Sequence, residues 1–351
     1  MQKTLTIGNL TAKIPIIQGG MGVGISLSSL AGAVAREGAI GVISAAQIGF
    51  MESDFSTNPL GANLRALKKH IAKAKNIAPG GIIGVNIMVA TKNYAQYVKA
   101  SIEAGIDLII SGAGLPFELP SLVKGTGTKL IPIVSSLRAA QIILKMWMKK
   151  DGVLPDAIII EGPLAGGHLG FKEEELTRGI ETSEYEEEIR KIIGYVNEFA
   201  GTHNSSIPVI TAGGISTKEE YQRQFELGAS GVQISTKFVP TFECDAHENF
   251  KKAYLECEKE DIIIVKSPVG MPGRAIRNKF TELVSKEKIP IKKCRDCIIT
   301  CNPATTRYCI TDALINAARG NMDEALIFCG AKAYEETEIR HVKDVINDFI
   351  L

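Results

Sequence analysis

Two short stretches hold residues whose types and spacing could do chemistry: EGPLAGGHLGF at 161–171 and TAGGISTKEE at 211–220. In the first, His168 follows Gly166 and Gly167, which in turn follow the apolar run AIIIEG at 157–162. An imidazole there can take or give a proton near neutral pH, whereas a histidine in an ordinary loop does no more than satisfy local polar groups. The other histidines, His70, His203, His247 and His341, lie in polar helical or loop contexts with no such setting. In the second stretch, Gly213 and Gly214 lead into a helix expected from near Ser216, whose free N–H groups and positive dipole end suit a phosphate. Ser235 and Thr236, from the run GASGVQISTKF at 228–238, offer further donors to the same ligand.

A third constellation is CRDCIITCNPATTRYC at 294–309, a C-x2-C-x3-C-x7-C spacing of Cys294, Cys297, Cys301 and Cys309. Thiolates so spaced can hold zinc or an iron–sulfur cluster. The spacing is not a standard zinc pairing, and reduced thiols also simply pack, so no metal ligand is assigned. Basic residues Lys266, Arg274, Arg277 and Lys279 either meet an anionic substrate or nicotinamide phosphate, or belong to a solvated loop. GGMGVG at 19–24 follows a strand, but no acidic ribose partner is placed as a dinucleotide fingerprint requires.

The elements that must position these residues are read from hydrophobic pattern. Eight short apolar runs lie at 14–20, 39–45, 81–89, 107–114, 129–136, 157–162, 207–214 and 231–238. They are continuous, not alternating, as in parallel strands covered on both faces. Helical patterns with apolar spacings of three and four separate them, for example Ile189, Ile192, Ile193 and Val196. Eight strands alternating with helices predict an α/β fold of the (β/α)8 barrel kind, with the active site at the C-terminal strand ends. The expected organisation is a barrel over 1–240, a lid or substrate region with the cysteines over 241–310, and helices over 311–351 that pack back on the barrel. The segment 266–280 reads as loop.

With 40 basic and 39 acidic residues, the chain has no electrostatic footprint for nucleic acid or an anionic membrane, which points to a small-molecule partner. The N-terminal stretch lacks the apolar core of a signal peptide, no segment is apolar enough to span a membrane, and the seven cysteines are an odd number. These features together predict a cytoplasmic protein.

PIIQGGMG, GVNIMV, EGPLAGGHLG, ITAGGIS, GASGVQIST and GMPGRAIRNKF, in that order, are similar to the FMN-dependent nitronate monooxygenase family, formerly grouped as 2-nitropropane dioxygenases. The flavin-dependent enoyl-acyl-carrier-protein reductases resemble the chain almost equally. The resemblance implies FMN at the mouth of the barrel. Gly20, Met21 and Gly22 match the segment lining the flavin ring, and Asn86 matches a strand-three polar contact. Glu161 and Gly167 match positions beside the flavin, while Gly213, Gly214, Gln233, Ser235 and Thr236 match the phosphate and ribityl region. His168 matches the family's catalytic histidine. The implied activity is oxidation of alkyl nitronates with O2 to a carbonyl compound and nitrite; the alternative is NAD(P)H-dependent reduction of an enoyl thioester or a quinone. A homodimer is compatible with either. Leu164 stands where many members carry an acid, so that acid's substrate contacts do not transfer, and Ser235-Thr236 replaces the usual Gly-Thr.

Overall fold

The computed structural model describes residues 3–351; the first two residues of the N-terminal stretch and of the barrel segment expected over 1–240 lie outside the described residues. In chain order the strands are β1 (Leu5–Ile7), β2 (Leu10–Ala12), β3 (Ile16–Gln18), β4 (Ile40–Ser44), β5 (Ile82–Asn86), β6 (Leu108–Ser111), β7 (Lys129–Val134), β8 (Ile158–Glu161), β9 (Gly167–His168), β10 (Val209–Ala212), β11 (Gly231–Ile234), β12 (Ile262–Lys266) and β13 (Pro272–Ile276). The helices are α1 (Ser28–Arg36), α2 (Pro59–Ile77), α3 (Tyr94–Glu103), α4 (Leu119–Val123), α5 (Leu137–Asp151), α6 (Glu173–Arg178), α7 (Thr182–Thr202), α8 (Lys218–Glu226), α9 (Glu248–Glu256), α10 (Lys279–Lys286), α11 (Ile310–Arg319) and α12 (Val342–Ile350).

The eight expected runs form the eight parallel strands of a closed barrel, in the order β3-β4-β5-β6-β7-β8-β10-β11, with β11 returning to β3. Their unbroken apolar character has a physical cause. Ile40 and Val42 of β4 share the barrel interior with Leu108, Ile131, Ile159 and Ile210. Ile43, between strand neighbours of opposite facing, joins the outer core with Leu67 of α2, Val98 of α3, Ile143 of α5 and Ile192 of α7. Both faces of each strand are therefore dry.

The sequence reading missed the hairpin β1–β2, whose Leu5, Ile7 and Ala12 enter the same interior core. Leu5 lies against Gly231 at the start of β11, so the hairpin plugs the N-terminal end of the barrel. The opposite end is left for the site.

Segment 266–280 is not loop. It contains β13 and the start of α10, and β13 is the middle of a three-stranded antiparallel sheet with β12 and β9. Pairing runs from Ile262↔Ile276 to Lys266↔Pro272 on one side, with Gly273↔His168 and Arg274↔Gly167 on the other. A five-pair hairpin ladder with neighbouring β12 and a two-pair ladder with distant β9, not its own residue pattern, make this glycine- and proline-containing stretch extended. Helix α12 buries Val342, Val345, Ile346 and Phe349 against Leu30 and Val34 of α1. Asp245, well after the barrel strands, accepts the N–H groups of Leu27, Ser29 and Leu30 at 2.9, 3.2 and 3.1 Å and so caps α1 from outside. Among the described residues, no helix is long and apolar enough to cross a membrane.

Candidate active site

The C-terminal strand ends and the later chain enclose a cavity, and every residue that the resemblance matched to a catalytic or flavin position borders it. Gly20, Met21 and Gly22 follow β3, and Asn86 ends β5. A Cβ on Gly20 would stand 2.5 Å from the Asn86 Cβ, so the two loops approach as only glycine permits. Glu161 ends β8, and Gly167 and His168 form β9. Gly213 and Gly214 follow β10, Gln233 lies in β11, and Ser235 and Thr236 follow it.

One end of the cavity is rich in N–H donors. Gly213 and Gly214 have φ of +99° and +78°, which turns this loop away from the β10 ladder. The N–H groups of Gly214, Ile215, Ser235 and Thr236 have no backbone acceptor among the described residues. Such donors suit an anion. The helix terminus expected to help them does not. Helix α8 begins at Lys218 with Thr217 as its N-cap, and the Glu220 carboxylate turns back to accept the N–H groups of Ser216 and Thr217 at 2.8 and 3.2 Å. The capping box thus takes the N–H groups of Ser216 and Thr217, and that of Glu220 itself goes to Thr217 Oγ1, while the loop glycines and the residues after β11 keep theirs free toward the cavity.

At the other end sits His168. Its Nε2 is 2.7 Å from the Ser267 hydroxyl, which also accepts the Val269 N–H, and its ring packs edge-on against Phe328 at 4.9 Å. The ring borders the cavity yet lies deep below the surface, and burial lowers its pKa to about 4. It is therefore neutral at pH 7. Because the Ser267 hydroxyl can donate to Nε2 or accept from it, the ring can offer Nδ1 as an N–H donor or as a lone pair. Burial raises the Glu161 carboxyl to about 7, with no charged partner to oppose the shift. Buried Arg274 donates from Nη1 to the carbonyls of Pro163 and Ala165, the former at 2.8 Å. With the β13–β9 ladder, this fixes the backbone that leads into His168.

Arg274 thus acts on the loop and not on the cavity. Lys266 pairs with Glu173, Lys279 pairs with Asp323, and Arg277 donates to the Glu260 carbonyl; none of these basic residues borders the cavity. The sequence reading missed Phe250 and Tyr254 of α9 and the segment 328–332, which form the far wall. Cys329 N–H donates to Arg274 O and Ala331 N–H to Leu164 O, so the wall is stitched to the His168 loop. The cysteines of 294–309 are free, with Cys294 exposed and the others half-buried. Burial raises the Cys297, Cys301 and Cys309 thiols, the last to about 12, and no group of three His, Cys, Asp or Glu side chains among the described residues is arranged to hold a metal ion.

A family model described as nitronate monooxygenase matches residues 3–351. A probable nitronate monooxygenase of Staphylococcus saprophyticus is 26% identical over 320 residues, 82% of this chain and 82% of that protein. Among solved structures, FabK from Thermotoga maritima superposes with a TM-score of 0.72 at 26% identity, over 95% of this chain and 91% of that one. The nitroalkane oxidase of Streptomyces ansochromogenes has a TM-score of 0.71 at 17% identity, over 96% and 95% of the two chains, and supports the fold alone.

Proposed function

The chain belongs to the nitronate monooxygenase family, and from that premise we propose that it is an FMN-dependent oxidoreductase that oxidises small alkyl nitronates with O2 to a carbonyl compound and nitrite. The observation that carries the reading is the polarity of the cavity: unpaired N–H donors at one end, a neutral histidine at the other, and glycine-lined walls between. These residues fit the cofactor. Gly214, Ile215, Ser235 and Thr236 would hold its phosphate, and Gly20, Met21, Gly22 and Asn86 would lie along its ring system. Bound there, FMN supplies the electron transfer that no side chain can perform.

The chain's own residues do the rest. His168, neutral near pH 7, receives the α-proton of a neutral nitroalkane, or through its alternative tautomer donates a hydrogen bond to an oxygen of a nitronate. Ser267 and Phe328 hold the ring in place, and the segment 328–332 with Phe250 and Tyr254 keeps bulk water from the reacting carbon. The region 241–310, expected as a lid, contributes the α9 part of this wall. His168→Ala is expected to lower kcat/KM for a neutral nitroalkane by about 10²- to 10⁴-fold, the usual contribution of a positioned general base, and to lower it less for the preformed nitronate. Equal turnover of both substrates by wild type and variant would remove His168 from the mechanism.

A second reading has a specific observation behind it: the 26% identity to FabK, an enoyl-acyl-carrier-protein reductase, over nearly the whole chain. In that case NAD(P)H is the electron donor and an enoyl thioester the substrate. Anaerobic stopped-flow separates the two. Bleaching of the bound flavin by nitronate but not by NADH or NADPH supports the monooxygenase, and rapid bleaching by a nicotinamide supports the reductase.

A further inference from the structure

We infer that Lys332 is the cation for the phosphate of the ligand in this cavity, shared between Glu220 and that phosphate; the inference rests on the flavin reading above. Among the described residues, Lys332 is the only lysine or arginine that lines the cavity, and it lies at the end where the unpaired N–H groups of Gly214, Ile215, Ser235 and Thr236 gather. Its Nζ pairs with Glu220 Oε1. Glu220 Oε2 meanwhile accepts the N–H groups of Ser216 and Thr217, and Ser216 Oγ donates to Glu335 Oε2 at 2.5 Å. Burial pushes the Glu220 pKa up, but Lys332 and the two N–H groups outweigh it, so this carboxylate stays ionised below its usual range.

The local charge count makes the assignment. Two carboxylates, Glu220 and Glu335, and one ammonium leave the donor-rich end with a net negative charge. A phosphate monoester brings about −1.5 to −2 more near neutral pH. Backbone N–H groups alone would have to hold it against that repulsion. Lys332 removes the difficulty because of how its own segment is fixed. Gly330 sits so close to Thr236 that a Cβ would overlap the threonine hydroxyl, and Ala331 N–H is bound to Leu164 O. The Lys332 backbone is therefore anchored beside the anion-binding loops, while the flexible four-carbon stem lets Nζ turn from the carboxylate toward the phosphate. Glu220 keeps its two N–H donors when the ammonium turns.

The test compares FMN with riboflavin, which lacks the phosphate, by titrating flavin fluorescence against the flavin-free full chain and its variants. Lys332→Met is expected to weaken FMN binding about 10- to 100-fold, the range for loss of a charge-assisted hydrogen bond, and to leave riboflavin affinity unchanged. Lys332→Arg restores the preference for FMN. Glu220→Gln moves the other way and raises the FMN-to-riboflavin preference, because it removes a negative charge beside the phosphate. A Lys332→Met protein that weakens for both flavins equally, or for neither, overturns the assignment by showing that the ion pair is only structural. Should Lys332→Met not fold, Glu220→Gln decides, since an unchanged or reduced preference for FMN in it refutes the role. Wild-type protein that binds neither flavin instead refutes the flavin reading, and the inference falls with it.

Discussion

Replacing Glu161 by glutamine should stabilise the protein at alkaline pH and do progressively less as the solution is made acidic. Burial raises this carboxyl from 4.5 in the unfolded chain to about 7 in the folded one. The folded state therefore prefers the proton. The stability associated with the neutral acid is complete below pH 4.5 and is lost as pH rises through 7. At about 1.36 kcal/mol per pKa unit, the gap amounts to about 3 kcal/mol, of which about 2.5 kcal/mol accrues between pH 5 and pH 8. Glutamine has nearly the same shape and no charge to bury, so whatever it changes in packing is the same at every pH. The quantity to measure is the stability of Glu161→Gln minus that of wild type, by urea denaturation of the flavin-free chain at half-unit pH steps. It should rise by about 2.5 kcal/mol across that window. His168 titrates in both proteins, and burial moves it in the opposite sense, from 6.5 down to about 4, so its stabilising neutral form is present above pH 6.5 and lost as pH falls toward 4. Its contribution cancels in the difference. A difference that is flat from pH 5 to pH 8 would refute the idea that Glu161 is carried as a buried neutral acid.

Ser267→Ala removes the hydrogen-bond partner that the His168 ring has among the described residues; turnover of a neutral nitroalkane is expected to drop about tenfold as the ring loses its orientation, with FMN affinity unchanged by fluorescence titration. Equal turnover would show that packing against Phe328 is enough to hold the ring. Asp245→Ala strips three N–H groups at the start of α1 of their acceptor and should cost about 2 kcal/mol, read as a lower urea midpoint at unchanged m-value. A midpoint within error of wild type would mean that water replaces the carboxylate at no cost.

The barrel was legible because a strand dry on both faces leaves a run of β-branched residues, and glycine at its C-terminal end marks where loops must approach. That signal brought Gly20, Asn86, Gly167, His168, Gly213 and Thr236 to one cavity. It could not reveal β9, which is extended only by pairing with β13 about a hundred residues on, nor β13, whose glycine- and proline-containing stretch is held between β12 and β9. Nor could it show that Glu220 turns back on its own helix and takes the donors assigned to phosphate, although the spacing of Thr217 and Glu220 in TAGGISTKEE is a capping-box signature that sequence reading can use. Arg274 was open to an anion contact or a solvated loop, and it is neither, because charge alone does not disclose burial against the carbonyls of Pro163 and Ala165. Lys332 was missed since it follows a short apolar run in a region with no periodicity, where only the glycine of FCGAK hints at close packing.

The divided wall of the cavity sets an order of events during synthesis. The last barrel strand ends at Ile234, whereas the Phe328–Lys332 segment is made much later. All eight barrel strands and the donor-rich loops thus precede in the chain the β13 neighbour of the His168 strand. Enclosure of the cavity therefore depends on segments that follow the barrel strands in the chain, first β13 beside the His168 strand and then 328–332.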